Sequence, residues 1–406
     1  PLGPTGGTPC EKYKSVHDTY PINTYALIFS MLYPNPSRRR RQYFITIVIL
    51  ATFAPMALVI FVCLYESFLN SNFIEISNQL TTTVPISIYI FKLYYVTVHP
   101  EGYFDLMRII NEDMSKANNM DKSYQNVYDR FMHTMKVGQR VWLVIVSLMF
   151  CVFPVLSGIK MLYGYIIKDE TMLPDHMVHS VEIEITKEVQ FQSPYFELIW
   201  LYQCYFSIIV PISYAGYDGI CHISIVHASL KMKLVSHMIK RAFADSKDLH
   251  ELYLNLKYAI KTHQEALDYY NLLNNTYSNW LLLIFSVTSI MLSLNLYQLV
   301  LRDGVEPRYL LLLVIVIVSI FIPCYYSSIL TEVCKLCSVG NQLPDDFYCC
   351  SWENWQAPSA TRTLIFMIAR AQQPLVLTAG GVFDFNVNLF VNIMKTSYSM
   401  FTLFRR

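Results

Sequence analysis

The sequence predicts an all-α, polytopic membrane protein with seven transmembrane helices, a cytoplasmic N-terminus and an extracellular C-terminus. Three observations predict it. Of 406 residues, 54% are hydrophobic and only 15% charged, whereas soluble domains carry about 25% charged residues. Six apolar runs, at 42–65, 76–98, 141–167, 198–217, 271–301 and 309–331, have the roughly 20 residues that a helix needs to cross a bilayer. Placing the N-terminus inside puts 22 Lys and Arg on the cytoplasmic side and four outside (Lys168, Lys187, Arg302 and Arg308), the asymmetry that sets orientation. A net charge of +1 points to neither nucleic acid nor an acidic partner. No apolar run precedes about Tyr43, so no cleavable signal peptide is expected.

The elements follow in order. Residues 1–41 form a cytoplasmic N-terminal segment, and 42–217 hold the first four spans. Lys92 and Lys160 interrupt the second and third and are expected to snorkel or to face the bundle. Pro154 and Gly158 are expected to bend the third. The acidic loop with Glu182, Glu184 and Glu188 falls outside. Residues 218–270 place Leu230, Leu234, Met238, Leu249, Leu252, Leu256, Ile260 and Leu267 at helical spacing among charges. That period predicts amphipathic cytoplasmic helices extending spans four and five, with apolar faces that need a bundle. Spans five and six occupy 271–332, and 333–380 forms a second cytoplasmic segment.

The last stretch, 381–406, is different. Asp384 and Lys395 leave uncharged runs too short for a lipid-facing span, and Asn386, Asn388, Asn392, Ser397, Ser399 and Thr402 recur through it. Such a helix prefers protein or water to lipid, which suits a pore wall. Gly380-Gly381 and Pro374 are expected to break it from the preceding piece.

Catalytic patterns do not emerge. The sequence contains no His-x-x-x-His pair, Gly-x-Ser-x-Gly or phosphate-binding loop, so an enzyme is not expected. His222, His227 and His237 are expected at the surface or as caps. Cys334-x-x-Cys337 with Cys349-Cys350 is only loosely zinc-like and has no His nearby; reduced thiols are expected, and no metal or cofactor. Seven spans also raise a G-protein-coupled receptor as an alternative. Against it, Asp129-Arg130-Phe131 precedes the third span instead of following it, and no Asn-Pro-x-x-Tyr occurs in the last.

Five stretches carry a family resemblance: Arg370-Ala-Gln-Gln-Pro374, Leu377-Thr-Ala-Gly-Gly-Val-Phe383, Lys395-Thr-Ser-Tyr-Ser-Met-Phe-Thr-Leu403, Ser338-Val-Gly-Asn-Gln-Leu343 and Tyr348-Cys-Cys-Ser-Trp352. Together they resemble the C-terminal signature of insect odorant receptors, over about residues 320–404. The resemblance implies a subunit of a ligand-gated, non-selective cation channel in the plasma membrane of olfactory sensory neurons. It implies a cytoplasmic anchor joining four subunits, threaded by 338–370 with Trp352 and Trp355 as packing anchors. The loop between spans four and five lacks the long insertion of the family's shared co-receptor, Orco. The chain therefore resembles a ligand-tuning subunit that partners Orco in a heterotetramer. A gustatory-type or self-assembling channel of the same superfamily is the alternative.

The resemblance also implies where the sites lie. An odorant pocket is expected in the outer half of the bilayer, between spans two and six. Depth selects Tyr89, Ile86, Phe150, Phe153, Ser157, Trp200, Gln203, Thr288 and Met291 as its wall. That mix of aromatic and aliphatic groups with few polar ones suits a small, mostly apolar volatile. On the last helix, Asn388, Asn392, Lys395, Ser399, Thr402 and Arg406 share roughly one face. Asn392, Ser399, Thr402 and Leu403 are the expected pore and gate residues, Leu403 as an aliphatic gate. Lys395 is expected to face a neighbouring helix or to pair with Asp384.

Overall fold

A computed structural model describes residues 12–167, 177–178, 187–301, 307–334, 343–373 and 375–404. Two short helices, α1 (Val16–Thr19) and α2 (Pro21–Phe29), precede the long rods α3 (Arg39–Leu69) and α4 (Phe73–Val98). Helix α5 (Pro100–Asn118) leads to α6 (Lys122–Phe150), which passes through a π-turn at Cys151–Val155 into α7 (Leu156–Ile167). Helix α8 (Lys187–Gln190) is a single turn. Helix α9 (Tyr195–Ser213) runs through a second π-turn, Tyr214–Asp218, into α10 (Gly219–Asp245). The longest rod is α11 (Leu249–Leu301), followed by α12 (Pro307–Cys334), α13 (Leu343–Tyr348), α14 (Pro358–Ala371) and α15 (Val387–Phe404).

Five of these rods are long and apolar enough to cross a membrane: α3, α6–α7, α9–α10, α11 and α12. Helix α4 has the length, 26 residues, or about 39 Å at 1.5 Å per residue. Its Lys92, Glu75 and threonines place it below the others in apolarity. Helix α15, at 18 residues, is the short polar one that its sequence describes. The bend expected at Pro154 takes the form of the π-turn, where the proline's missing N–H is accommodated by a widened backbone ring.

Most of the rods share a continuous apolar core, and a smaller cluster of Phe153, Val178, Tyr309, Leu312 and Ile315 lies apart from it. Helix α10 lies at the centre of the main core: from Gly219 to Ala242 nearly every residue is buried. It is enclosed by α5, α6, α11, α12 and α13, so the amphipathic pattern read in 218–270 describes a buried helix (α10) followed by a half-buried one. This corrects the placement of two histidines. His222 and His227 are 2% and 1% exposed, with His222 edge-on to Trp142 and His227 held by Asp113 at 3.0 Å; only His237 is partly exposed.

The glycine pair also takes an unexpected form. It breaks the helical pieces through a two-stranded hairpin, Thr378–Ala379 (β1) against Phe383–Asp384 (β2). Gly380 and Gly381 turn it at φ +62° and +71°, the left-handed region open to glycine at little cost. Pro374, which was expected to support the break, lies outside the described residues.

Candidate functional site

Where α4, α6, α9, α11 and α12 converge, they leave a cavity of about 70 Å³. Its walls are Thr81, Pro85 and Ile88 on α4; Trp142, Ile145 and Met149 on α6; Phe153; Tyr214; Ile284, Thr288 and Met291 on α11; and Leu312, Ile315 and Ser319 on α12. A smaller void of about 30 Å³, sharing Thr81, Pro85, Met149 and Phe153, reaches Thr82, Ile86, Phe206 and Ser207. The lining is apolar with a few hydroxyls, the usual make-up of a small-molecule pocket.

Two devices shape its ends. At one end, Tyr214 opens the second π-turn, and Trp142 Nε1 donates to the Tyr214 carbonyl at 3.0 Å. Behind the Tyr214 ring, 3.6 Å from its centroid, sits the Lys92 ammonium. Lys92 is fully buried and faces the bundle, pairing with Asp218 at 2.7 Å and lying 4.7 Å from the Trp280 ring centroid. A buried ammonium is tolerable only with such a counter-charge and cation-stabilising rings. Lys160, by contrast, is exposed. At the other end, Gln298 Nε2 donates to Ser77 Oγ (2.8 Å) and Thr81 Oγ1 (3.1 Å), tying α11 to α4 beside the cavity.

The residues expected to bind ligand divide. Phe153, Thr288 and Met291 line the main cavity, and Ile86 the smaller one. Tyr89 lies in the core, donating to the Ser30 carbonyl at 3.0 Å. Trp200 donates to Ser157 Oγ at 2.8 Å, linking α9 to α7 away from the cavity. Gln203 is buried against the Met177 sulfur. The Phe150 side chain lies outside the described residues.

Helix α15 buries Leu389, Ile393, Ser397 and Phe401 at a four-residue spacing, against α11 and α12. Its other face, with Asn388, Asn392, Lys395, Ser399, Thr402 and Leu403, is exposed. Among the described residues Lys395 forms no ion pair, with Asp384 or otherwise; Arg406 lies outside them. The hairpin seats this helix. Gly380 N donates to the Ser278 carbonyl (2.9 Å) and Tyr270 Oη to the Val376 carbonyl (2.7 Å). Phe285 and Phe383 meet at 5.0 Å. The same α11 thus lines the cavity and carries the last helix.

In the segments expected to form the anchor, α13 is pinned to α10 through Asp346, which accepts from Lys233 at 2.9 Å and from Ser236 and Lys240. Trp355 donates to the Phe243 carbonyl at 2.9 Å, and Trp352 packs on the core edge. Among the described residues no cluster of metal-ligating side chains forms; Cys337 lies outside them.

Comparison with known proteins places this architecture. The fold superposes on olfactory receptor OR5 from Machilis hrabei, solved in complex with eugenol, with a TM-score of 0.74, 12% identity and coverage of 95% of this chain and 98% of that one. A second structure of the same receptor gives 0.72. The chain is therefore a multi-pass, all-α membrane protein of that seven-span fold. Odorant receptor Or2 of Anopheles gambiae is 30% identical over 156 residues, which cover 38% of this chain and 40% of Or2. Odorant receptor 10 of Aedes albopictus is 22% identical over 315 residues, 75% of this chain and 74% of that one. The first curated relatives are thus matched over less than half their length. A family profile, 7tm Odorant receptor, matches residues 72–398. Running from the start of α4, through the rods that build the cavity and into α15, that match makes the chain a member of the 7tm odorant receptor family.

Proposed function

We propose that this chain is the ligand-tuning subunit of an odorant-gated, non-selective cation channel. It binds a small, mostly apolar volatile in the cavity between α4, α6, α9, α11 and α12. The observation that carries this reading is the shared use of α11, whose Ile284–Met291 stretch lines the cavity while its Tyr270–Ser278 stretch holds the hairpin that seats α15. At about 70 Å³ the cavity is smaller than a typical ligand pocket of 300 Å³ or more. Ligand therefore binds a widened form better than the resting one, and that difference in affinity is what biases gating. Movement of α11 then shifts α15, whose exposed Asn392, Ser399 and Thr402 line a pore around a four-fold arrangement, with Leu403 as an apolar constriction. The charge asymmetry of the loops puts the N-terminus and the anchor in the cytoplasm. The anchor, 218–270 with 333–380, joins this subunit to Orco in a heterotetramer in the plasma membrane of olfactory sensory neurons.

The test is whole-cell current from cells expressing this chain alone or with Orco, under volatile esters, alcohols, aldehydes and aromatics. Odorant-evoked cation current only on co-expression is the expected result. Current from this chain alone would replace the tuning-subunit reading with a self-assembling channel. Within the cavity, Met291→Ala is expected to shift the best ligand to a bulkier one, with changes in half-maximal concentration of about tenfold per 1.4 kcal/mol. Unchanged ranking across the panel would remove Met291 from the site.

A further inference from the structure

A second cavity, sharing no lining residue with the first, lies between the end of α2 and the start of α3. Its volume is about 220 Å³, and Met31, Tyr33, Asn35, Arg38, Arg41 and Gln42 line it. The chain is shaped for it: Met31 is left-handed at φ +58°, and Leu32 N returns to the Leu27 carbonyl at 2.8 Å. The segment then runs through Pro34 and a 3₁₀ turn, Pro36–Arg38, into α3.

Its polar lining is short of partners. Gln42 is 8% exposed, yet neither its Oε1 nor its Nε2 has a hydrogen bond among the described residues. A buried amide left unpaired carries a cost that an added hydrogen-bond partner would relieve. Arg39 is engaged by Glu101, whereas Arg38 and Arg41 form no ion pair among the described residues. Helix α3 opens without a side-chain cap, and the positive end of its dipole favours an acceptor there. Two guanidinium groups, an amide donor and a helix start converge on one groove, the combination that recognises phosphate oxygens.

The position on the helix separates a lipid from a soluble anion. Immediately past Gln42, α3 exposes Tyr43, Phe44, Ile47 and Val48 on its bilayer-crossing run, a path along which acyl chains can lie. We infer that this groove binds the phosphate-bearing headgroup of an anionic membrane lipid, with Arg38 and Arg41 on the phosphate and Gln42 bonded beneath it. This site is independent of the odorant reading.

The experiment uses the purified full chain in detergent and three probes: dioctanoyl phosphatidic acid, dioctanoylglycerol and inorganic phosphate. Phosphatidic acid is expected to bind at least about tenfold more tightly than dioctanoylglycerol. Arg38→Gln and Arg41→Gln are each expected to weaken it about fivefold or more, the loss of one charge-assisted bond, while Arg40→Gln changes it less than twofold. Gln42→Leu is expected to weaken binding similarly yet raise the unfolding temperature of the lipid-free protein, because it removes an unpaired buried amide. Equal binding of dioctanoylglycerol, or wild-type affinity in all the variants, would overturn the site. A lower unfolding temperature for Gln42→Leu would overturn the role given to the amide. Inorganic phosphate binding as tightly as phosphatidic acid, with the same variant dependence, would assign the groove to a soluble anion and overturn the lipid.

Discussion

The junction below the cavity and the anchor both bury carboxylates, and they do so differently. At the junction, Asp218 meets a single ammonium, Lys92, while its second oxygen has no partner among the described residues; aromatic rings fill the remaining space. At the anchor, Asp113 reaches in from α5 and is shared by His227 and Lys231 of α10 at 3.0 and 2.6 Å. Asp346 is likewise shared by three donors on α10. The anchor distributes its charge over several bonds and loses little when one breaks. The junction rests on one ion pair between two side chains that are both buried. Polarity in the anchor fastens helices together, whereas at the junction it holds one turn of α9–α10 in place under the cavity.

The largest expected effect tests that contrast directly. Lys92→Met leaves Asp218 buried and uncompensated and should cost about 3–5 kcal/mol, read as loss of monodisperse protein on size exclusion. The double variant Lys92→Met/Asp218→Leu should recover most of it. A double variant as unstable as the single would show that the pair matters through packing and not charge. Next, Asp113→Asn is expected to cost about 1–3 kcal/mol, because Lys231 is left with less while His227 keeps one acceptor. A loss as large as that of Lys92→Met would erase the distinction between the two regions.

Gly216→Ala sharpens the same comparison from the backbone. A Cβ at Gly216 would lie 2.6 Å from the Leu27 amide nitrogen and 3.0 Å from neighbouring α2 backbone atoms. No side chain can swing aside, so the π-turn must move off α2, at about 1–3 kcal/mol. Thermal unfolding with and without Lys92→Met should show the two losses combining less than additively, since both disturb one turn. Strict additivity would separate them.

The smallest effect is the acid response of the anchor. Burial pushes the Asp113 carboxyl up, but the hydrogen bond and charge of His227 and the Lys231 ammonium outweigh it and hold it well below the ordinary 3.8. For Asp346, the bonds to Lys240, Ser236 and Lys233 likewise overcome burial. A lowered folded-state value means that the stabilisation is complete above about pH 4 and is lost as pH falls below it, when the unfolded chain takes up protons first. Stability measured from pH 6 to 3 should fall more steeply in the wild type than in Asp113→Asn. Parallel profiles would sink this assignment.

These features differ in how far the sequence discloses them. The spans and the apolar face of 249–267 are legible because period and length are local properties. Asp218 as the partner of Lys92 is not, since 126 residues separate them and only packing brings them together. The cavity is legible in part. Depth alone selects Phe153, Thr288 and Met291, but Trp142 and Tyr214 escape it. The π-turn inserts an extra residue and takes Tyr214 out of the 3.6 period that a face assignment assumes. Leu312, Ile315 and Ser319 sit in a run so uniformly apolar that no periodicity marks the facing side. A signal did exist at the junction: Gly216, Asp218 and Gly219 interrupt an otherwise apolar stretch within four residues.

Helix α11 runs unbroken for 53 residues, about 80 Å at 1.5 Å per residue, and passes the anchor, the hairpin and the cavity without a loop. Its three contact surfaces are therefore locked in rotational phase. One residue inserted between Tyr269 and Ile284 would turn everything beyond it by about 100°, carrying Thr288 and Met291 off the cavity while Leu252 and Leu256 stay seated. This rod tolerates change in length only by near-whole turns.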